Sequence, residues 1–364
     1  MPDMRFAPPN PLRIADRATG LNSGSVRSYN ERLVLSLLLQ KDAITRVEMG
    51  ERTGLSAQTI SVLVRSLEQE GLVSKGAAQK GRVGPPTVPL ALNPEGAFSI
   101  GVSVGPKRTE VVLVDLGGKT RFHERLSNPD KRDGNHSEFL DTIRRAVEIV
   151  PENARPRLAG VGLALPHDQR SEAAEDDFFK ALQAEIEVQI DVPVFVQNDI
   201  AAAASGESMF GATKQLSDYM YFYLGERLHG RLVLNHRIHK GNSPVNFDVG
   251  VAALERALAG KGLSTDTIWS HEGWPDLGDV ESTWQADIVD EITTAVQAVA
   301  QFVQLEGAVF ASFIPVELCQ KVCAGLRARS PSLPIFSSTI SPMPEAIGAA
   351  SLPFSSIFTA EASS

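Results

Sequence analysis

The sequence predicts an α/β protein in two parts, a small and mostly helical head followed by a larger body in which strands and helices alternate. Three observations carry this. Residues Thr45 to Val73 hold two short helical patterns hinged at Gly54-Leu55-Ser56; from Ala97 the pattern changes to short apolar runs separated by Gly-containing turns; and charge divides near the same place. Residues 1–96 carry 12 Lys and Arg against 9 Asp and Glu, whereas the remainder carries 23 against 35. The acidic body is unsuited to binding nucleic acid by itself, which leaves the head to do so.

The head is read from its helix signals. Thr45 and Glu48 fit the capping box T-x-x-E, so a helix begins there, and Gly54 ends it. Ser56 is an N-cap for the next helix, whose apolar residues Ile60, Leu63, Val64 and Leu67 recur at i, i+3, i+4 and i+7 and predict one buried stripe. Gly50 is expected to let the two helices cross closely. The other face carries Ala57, Gln58, Thr59, Ser61 and Arg65, which suits a helix N-terminus laid against base edges and phosphates in a major groove. Upstream, Leu33, Val34, Leu37 and Leu38 predict a third helix over Val26 to Gln40. Downstream, Lys75, Lys80 and Arg82 lie on a Gly- and Pro-bounded stretch without acidic residues, followed by a returning strand marked by Val88, Leu90 and Leu92. This is the pattern of a winged helix-turn-helix whose wing touches phosphates. The bland alternative is a small helical subdomain with a solvated loop.

At 364 residues the chain exceeds one ordinary core, and two or three domains are expected. The first 25 residues lack periodicity and predict a mobile tail. No apolar run reaches the roughly 18 residues of a membrane helix and the start lacks a signal-peptide core, which together predict a cytoplasmic protein without a membrane partner. Cys319 and Cys323, spaced i, i+4, exclude a disulfide framework; they suit either a metal or, as we expect, a packed helix face.

In the body, FSIGVSVGPKRTEVVLVDLGGKT predicts a hairpin pair opening an α/β domain. RLAGVGLALP, VPVFVQND and YMYFYLG supply buried strands; helices are expected over Glu138–Val150, Ile200–Phe210, Trp284–Leu305 and Glu317–Arg327, with EAIGAASLPF as a final segment.

The ordered set GVSVGPKRTEVVLVDLGGK, AGVGLALP, VPVFVQNDIAAAASGE, YFYLGERLHGRLVLNHRIHKG and PEAIGAASLP resembles the ROK family, named for repressors, open reading frames and kinases. The resemblance runs from about Val26 to Phe354. It implies a two-lobed actin-like ATPase (ribonuclease H-like) body behind the winged helix-turn-helix. The expected division is a tail over 1–25, the head over 26–93, a first α/β lobe over 94–200 completed by about 335–358, and a second lobe over 201–334 that serves dimerisation and the ligand cleft.

Phosphoryl transfer needs a carboxylate for magnesium, Gly-rich turns that admit phosphates, and a base. Against the family kinases, the first phosphate motif reads Ser103, Gly105 and Pro106, losing its Asp and one N–H donor. The second reads Gly225-Glu226-Arg227-Leu228-His229-Gly230-Arg231, with Glu226 repelling phosphate. The adenosine-side glycines appear as Ala311-Ser312-Phe313. The resemblance therefore implies a protein that is no enzyme, with no catalytic residues and no cofactor, although Asp199 sits where the kinases keep their base.

Asn198 and Asp199 follow a buried strand and are candidate ligand contacts; the alternative is that they cap the following helix. The family's Glu-x-Gly-His motif aligns with Asn246-Phe247-Asp248-Val249-Gly250 and lacks both its Glu and its His, and the Cys-rich loop is missing, so no metal is expected. Glu255 corresponds to a second sugar-binding Glu, or is a solvated helix residue. His167 replaces a Gly of the family. His229, His236 and His239 suggest either metal binding or, as we expect, an exposed hairpin; Phe247 and Trp269 suit sugar stacking or, by default, the core.

The expected function is a regulator, a repressor of carbohydrate-related genes, that binds a double-stranded DNA operator as a homodimer or homotetramer with a sugar or sugar-derivative effector. A sugar kinase carrying a DNA-binding head and a ligand-independent DNA-binding dimer are the competing expectations.

Overall fold

Helix α1 (Tyr29–Gln40) begins the described part of the chain. The computed structural model describes residues 29–360 apart from 42, 77–87, 106, 127–135, 167–172, 240–244, 266 and 270–272, and the side chains of 173–176 and 245–246 are likewise outside it. The expected tail, Val26, Lys80, Arg82, Pro106 and His167 therefore lie outside the described residues.

Helices α2 (Arg46–Thr53) and α3 (Ala57–Gln69) follow, then strands β1 (Val73–Lys75) and β2 (Leu90–Leu92), paired antiparallel with Val73 opposite Leu92. Ile44 adds a bridge to Leu90, its amide and carbonyl exchanging bonds of 2.9 Å with it. The capping box forms as the spacing requires. Glu48 N–H donates to Thr45 Oγ1 at 3.2 Å, and Thr45 N–H donates to Glu48 Oε2 at 2.9 Å. Gly54, at φ 71, closes α2 in the left-handed region. Ile60, Val64 and Leu67 are buried as the stripe predicts, but Leu63 is only half-buried. At Gly50 an added Cβ would meet Leu55 O at 3.4 Å, so an alanine would fit there as well as glycine.

The described residues fall into two units, one within Met1–Ser205 and Ala346–Ser364, the other Gly206–Glu345. The first holds the head and a five-stranded sheet in the order β5-β4-β3-β6-β7, built from β3 (Phe98–Val104), β4 (Thr109–Asp115), β5 (Thr120–Leu126), β6 (Leu158–Leu165) and β7 (Val194–Asn198). β3, β4 and β5 form an antiparallel meander, and β6 and β7 run parallel to β3. One face, with Ile100, Val102, Leu113, Val161 and Leu163, packs with residues of α4 (Ser137–Ile149) and α5 (Ala173–Ile190). The opposite face packs with α10 (Pro344–Phe358), where a Cβ at Gly162 would lie 1.9 Å from Ala349 O. Small residues let the helix backbone rest directly on the strands. The four alanines Ala201–Ala204 of α6 (Asp199–Phe210) are buried on the same principle.

The second unit repeats the plan. Its sheet runs β10-β9-β8-β12-β13, with β11 beside β9, from β8 (Tyr219–Leu224), β9 (Leu228–Leu234), β10 (Arg237–Ile238), β11 (Val245–Phe247), β12 (Gly307–Ser312) and β13 (Ile335–Ser337). β8, β9 and β10 again meander, and β12 and β13 again run parallel to β8. Met220, Phe222, Ala308 and Phe310 pack with residues of α7 (Val251–Gly260), α8 (Asp279–Ala300) and α9 (Val316–Arg329). Two differences from expectation appear here. α8 starts at Asp279, with Asp279 and Glu281 in its first turn favoured by the helix dipole, and stops before Phe302, which is 88 % exposed. β13 pairs with β12, so residues 335–337 complete the second sheet, where the expected lobe division had them returning to the first.

Candidate nucleic-acid interface and strand-end site

α3 presents two opposed faces. Ile60, Val64 and Leu67 are buried in the head, while Ala57, Gln58, Ser61, Val62 and Arg65 are exposed. Ser56 Oγ accepts from Thr59 N–H at 3.1 Å and lies 2.9 Å from Thr59 Oγ1, so Thr59 is half-buried in the cap rather than turned outward. Ser61 Oγ donates to Ala57 O at 2.7 Å, leaving its lone pairs as acceptors. The side chains of Gln58 and Arg65 make no hydrogen bond or ion pair among the described residues. Lys75, by contrast, is paired with Glu68 at 2.9 Å, and Arg46 approaches the same carboxylate at 3.6 Å. One carboxylate thus offsets two cations at the base of the wing.

In the first sheet the strand register sets Arg125, Glu110, Ser103, Ala164 and Gln197 in one row. Ser103 and Glu110 are buried. Glu110 is ion-paired with Arg108 at 2.8 Å and lies 3.4 Å from His123 Nε2. Gly105 N–H donates to Arg108 O at 2.7 Å, which closes the first turn on itself. At the end of the row, Asn198 Oδ1 accepts from Ala201 N–H at 2.8 Å and Asp199 Oδ1 from Ile200 N–H at 2.7 Å. Both residues therefore hold the start of α6, and both remain half-buried.

In the second unit, the turn Gly225-Glu226-Arg227 meets the start of α7. Val251 N–H donates to Gly225 O at 2.9 Å and Ala252 N–H to Glu226 O at 3.1 Å. The first donors of that helix, which would otherwise suit an anion, are occupied by backbone carbonyls. Gly250 permits this, since a Cβ there would lie 2.2 Å from Glu226 O. Trp284 Nε1 fixes the preceding turn by donating to Val249 O at 2.8 Å. Glu226 and Arg227 are exposed, His229 is half-buried, and Glu255 is half-buried on α7.

Phe313, on the expected adenosine side, is buried and stacked with Trp269 at a centroid distance of 5.8 Å. Trp269 and Phe247 pack against the apolar core of this unit. His239 is exposed and His236 half-buried, and burial pushes the His236 imidazole below its ordinary value. Cys319 and Cys323 are buried thiols on α9, and burial pushes Cys319 up to about 12, which makes them packing residues at neutral pH. No cluster of three or more His, Cys, Asp or Glu among the described residues is placed to hold a metal. No helix among them is long and apolar enough to cross a membrane.

Residues 27–74 match a winged helix-turn-helix DNA-binding family and residues 99–259 match the ROK family. The chain carries a ROK domain behind a winged helix-turn-helix. Among curated relatives, the xylose repressor of Bacillus subtilis (strain 168) is 25% identical over 237 residues, covering 63% of this chain and 62% of that protein. The DNA-binding transcriptional dual regulator NagC of Escherichia coli (strain K12) is 22% identical over 242 residues, 64% of this chain and 59% of that protein. The match thus spans less than two thirds of these relatives' length. A crystal structure of a ROK family transcriptional regulator, a homologue of the E. coli MLC protein, superposes with a TM-score of 0.60 at 16% identity over 90% of this chain and 95% of that one. A ROK family glucokinase from Streptomyces griseus gives 0.50 at 17% identity over 70% and 99%. The ROK body therefore has the actin-like ATPase fold shared by regulators and sugar kinases.

Two features of the site carry little signal in the sequence. Val62 opens the apolar run Val62-Leu63-Val64, so the sequence does not mark it off from the buried stripe beside it. The bonds from α7 to the Gly225 turn join residues 26 positions apart, and no local spacing rule marks such a pairing.

Proposed function

We propose that this chain is a DNA-binding transcriptional regulator, a repressor of carbohydrate-related genes, acting in the cytoplasm as a homodimer or homotetramer. Its ROK body senses a sugar or sugar derivative and does not phosphorylate it. The observation that carries the reading is the outer face of α3, where Gln58, Ser61 and Arg65 stand exposed on the second helix of a helix-turn-helix. Ala57 allows close approach to the duplex, Thr59 acts through the cap, and Lys75 with Lys80 and Arg82 contacts phosphates. The repressor names of the relatives support the same reading.

In this division of labour residues 26–93 read DNA and the two lobes behind them bind effector and partner subunit. Asn198, Asp199 and Glu255 are the effector contacts. The occupied amides of Val251 and Ala252 and the closed turn at Gly105 support loss of phosphoryl transfer. Binding to the DNA flanking the chain's own gene, measured across a salt series, tests the function. Affinity no greater than for random duplex sinks it. A second reading, a sugar kinase with a DNA-binding head, is favoured by the position of the half-buried Asp199 at the strand end; turnover with ATP, magnesium and a hexose panel that Asp199→Asn abolishes would establish it. A thermal shift across carbohydrates separates an effector-dependent regulator from a ligand-independent one, because an effector stabilises the body by mass action.

A further inference from the structure

Val62 is 63 % exposed in the middle of the outer face of α3. Gln58, Ser61, Val62 and Arg65 fall at i, i+3, i+4 and i+7, so they form one stripe, opposite the buried Ile60, Val64 and Leu67. Valine is a poor choice for a solvated helix position, being β-branched and a weaker helix former than the polar residues that usually stand there. Its neighbours on the stripe are an amide, a hydroxyl and a guanidinium. Such a face suits a surface that offers hydrogen-bonding groups with one apolar group among them. The major groove of a duplex is that surface, and its apolar group is the thymine 5-methyl.

Neighbours on the stripe lie about 5 to 6 Å apart. Bases along one strand rise about 3.4 Å, so residues a turn apart reach bases one or two steps apart. The helix positive end and Arg65 supply the charge that a duplex requires. Resting on the DNA-binding reading above, we propose that Val62 packs on a thymine methyl, so that a T·A pair in each half-site, flanked by pairs contacted by Gln58 and Arg65, sets specificity.

The test starts by enriching duplexes from a random library with the full-length chain at fixed salt. Each thymine of the enriched duplex is then replaced singly by deoxyuridine, which removes only the methyl. The expected result is an affinity loss of about three- to fivefold at one thymine per half-site, the value of one buried methyl group. Val62→Ala should bind the thymine duplex that much more weakly and no longer distinguish deoxyuridine, while Val62→Thr, which keeps a methyl, should still distinguish it. A flat deoxyuridine scan with the native chain, or a Val62→Ala chain that stays sensitive, overturns the proposal. A flat scan together with loss of self-association in Val62→Ala also overturns it and assigns the residue to a protein contact. Enrichment of no sequence at all overturns the DNA-binding reading and this proposal with it.

Discussion

Ser36 Oγ accepts a hydrogen bond from the Ala360 amide at 3.0 Å, joining residues 324 positions apart. Ser36 in turn donates to Arg32 O at 2.7 Å, so a single hydroxyl ties the end of the ROK body to the first helix of the head. The seven residues Leu33 to Leu39 are all buried, which leaves α1 enclosed on every side along this stretch. A helix that served only the head would show one solvated face.

This enclosure predicts that head and first lobe unfold together. Ser36→Ala leaves a buried amide without its acceptor and should cost about 1 to 3 kcal/mol. Thermal unfolding should then shift to lower temperature, and hydrogen exchange should accelerate along 33–39. Unchanged protection of those amides would show that the bond to Ala360 adds nothing.

Glu68 offsets Arg46 and Lys75 at the base of the wing. Glu68→Gln should release both cations to phosphates, strengthening binding to random duplex and steepening its salt dependence. Gln58→Ala and Arg65→Ala should act in the opposite sense on the operator alone, each losing about 1 to 3 kcal/mol of discrimination. Equal losses on operator and random duplex for these two variants would place them on the backbone instead.

The local parts of this architecture were legible in the sequence because their causes are local. Thr45 and Glu48 specify a cap within four residues, and the alternation in β3 and β4 specifies a hairpin within twenty. Leu63 lies half-buried at the edge of its stripe, and periodicity locates a stripe's centre better than its margin. The end of α8 is not legible in the sequence, because Phe302 and Val303 continue an apolar pattern although the helix stops at Ala300 and leaves Phe302 in solvent. The candidate effector residues were readable as types but not as roles: Asn198 and Asp199 hold α6 while staying partly accessible, and no spacing rule separates those duties.

Glu207 is fully buried, with Ala212 N–H donating to it at 2.7 Å and Ser338 Oγ at 2.5 Å. Burial pushes its carboxyl above the ordinary 4.5 despite these bonds, and it also lies near the buried phenols of Tyr219 and Tyr221. A folded value above the unfolded one means that the folded state holds the proton more tightly. Stability from this group is then full below the ordinary carboxyl value and declines as pH rises towards the raised one. Glu207→Gln, neutral throughout, should flatten that decline. The melting temperatures of the two proteins, compared across pH 4 to 8, should diverge from one another with rising pH. Parallel curves would mean that Glu207 does not titrate differently on folding.

The seal between the Gly225 turn and α7 yields the last prediction. Gly250 touches Glu226 O so closely that a methyl group would lie 2.2 Å from it, and the backbone on both sides is held, by Trp284 Nε1 on one and by the Val251 and Ala252 amides on the other. Neither side can give way cheaply, so Gly250→Ala should destabilise the second unit by about 1 to 3 kcal/mol, the usual cost of overpacking. Glu226→Gly removes a side chain from the same turn without touching the two carbonyls that accept from α7. If those bonds, rather than the side chain, are what close the turn to phosphate, Glu226→Gly should gain no binding of ATP with magnesium by calorimetry. Measurable nucleotide binding in that variant would show that the side chain alone had blocked the site and would reopen the kinase reading.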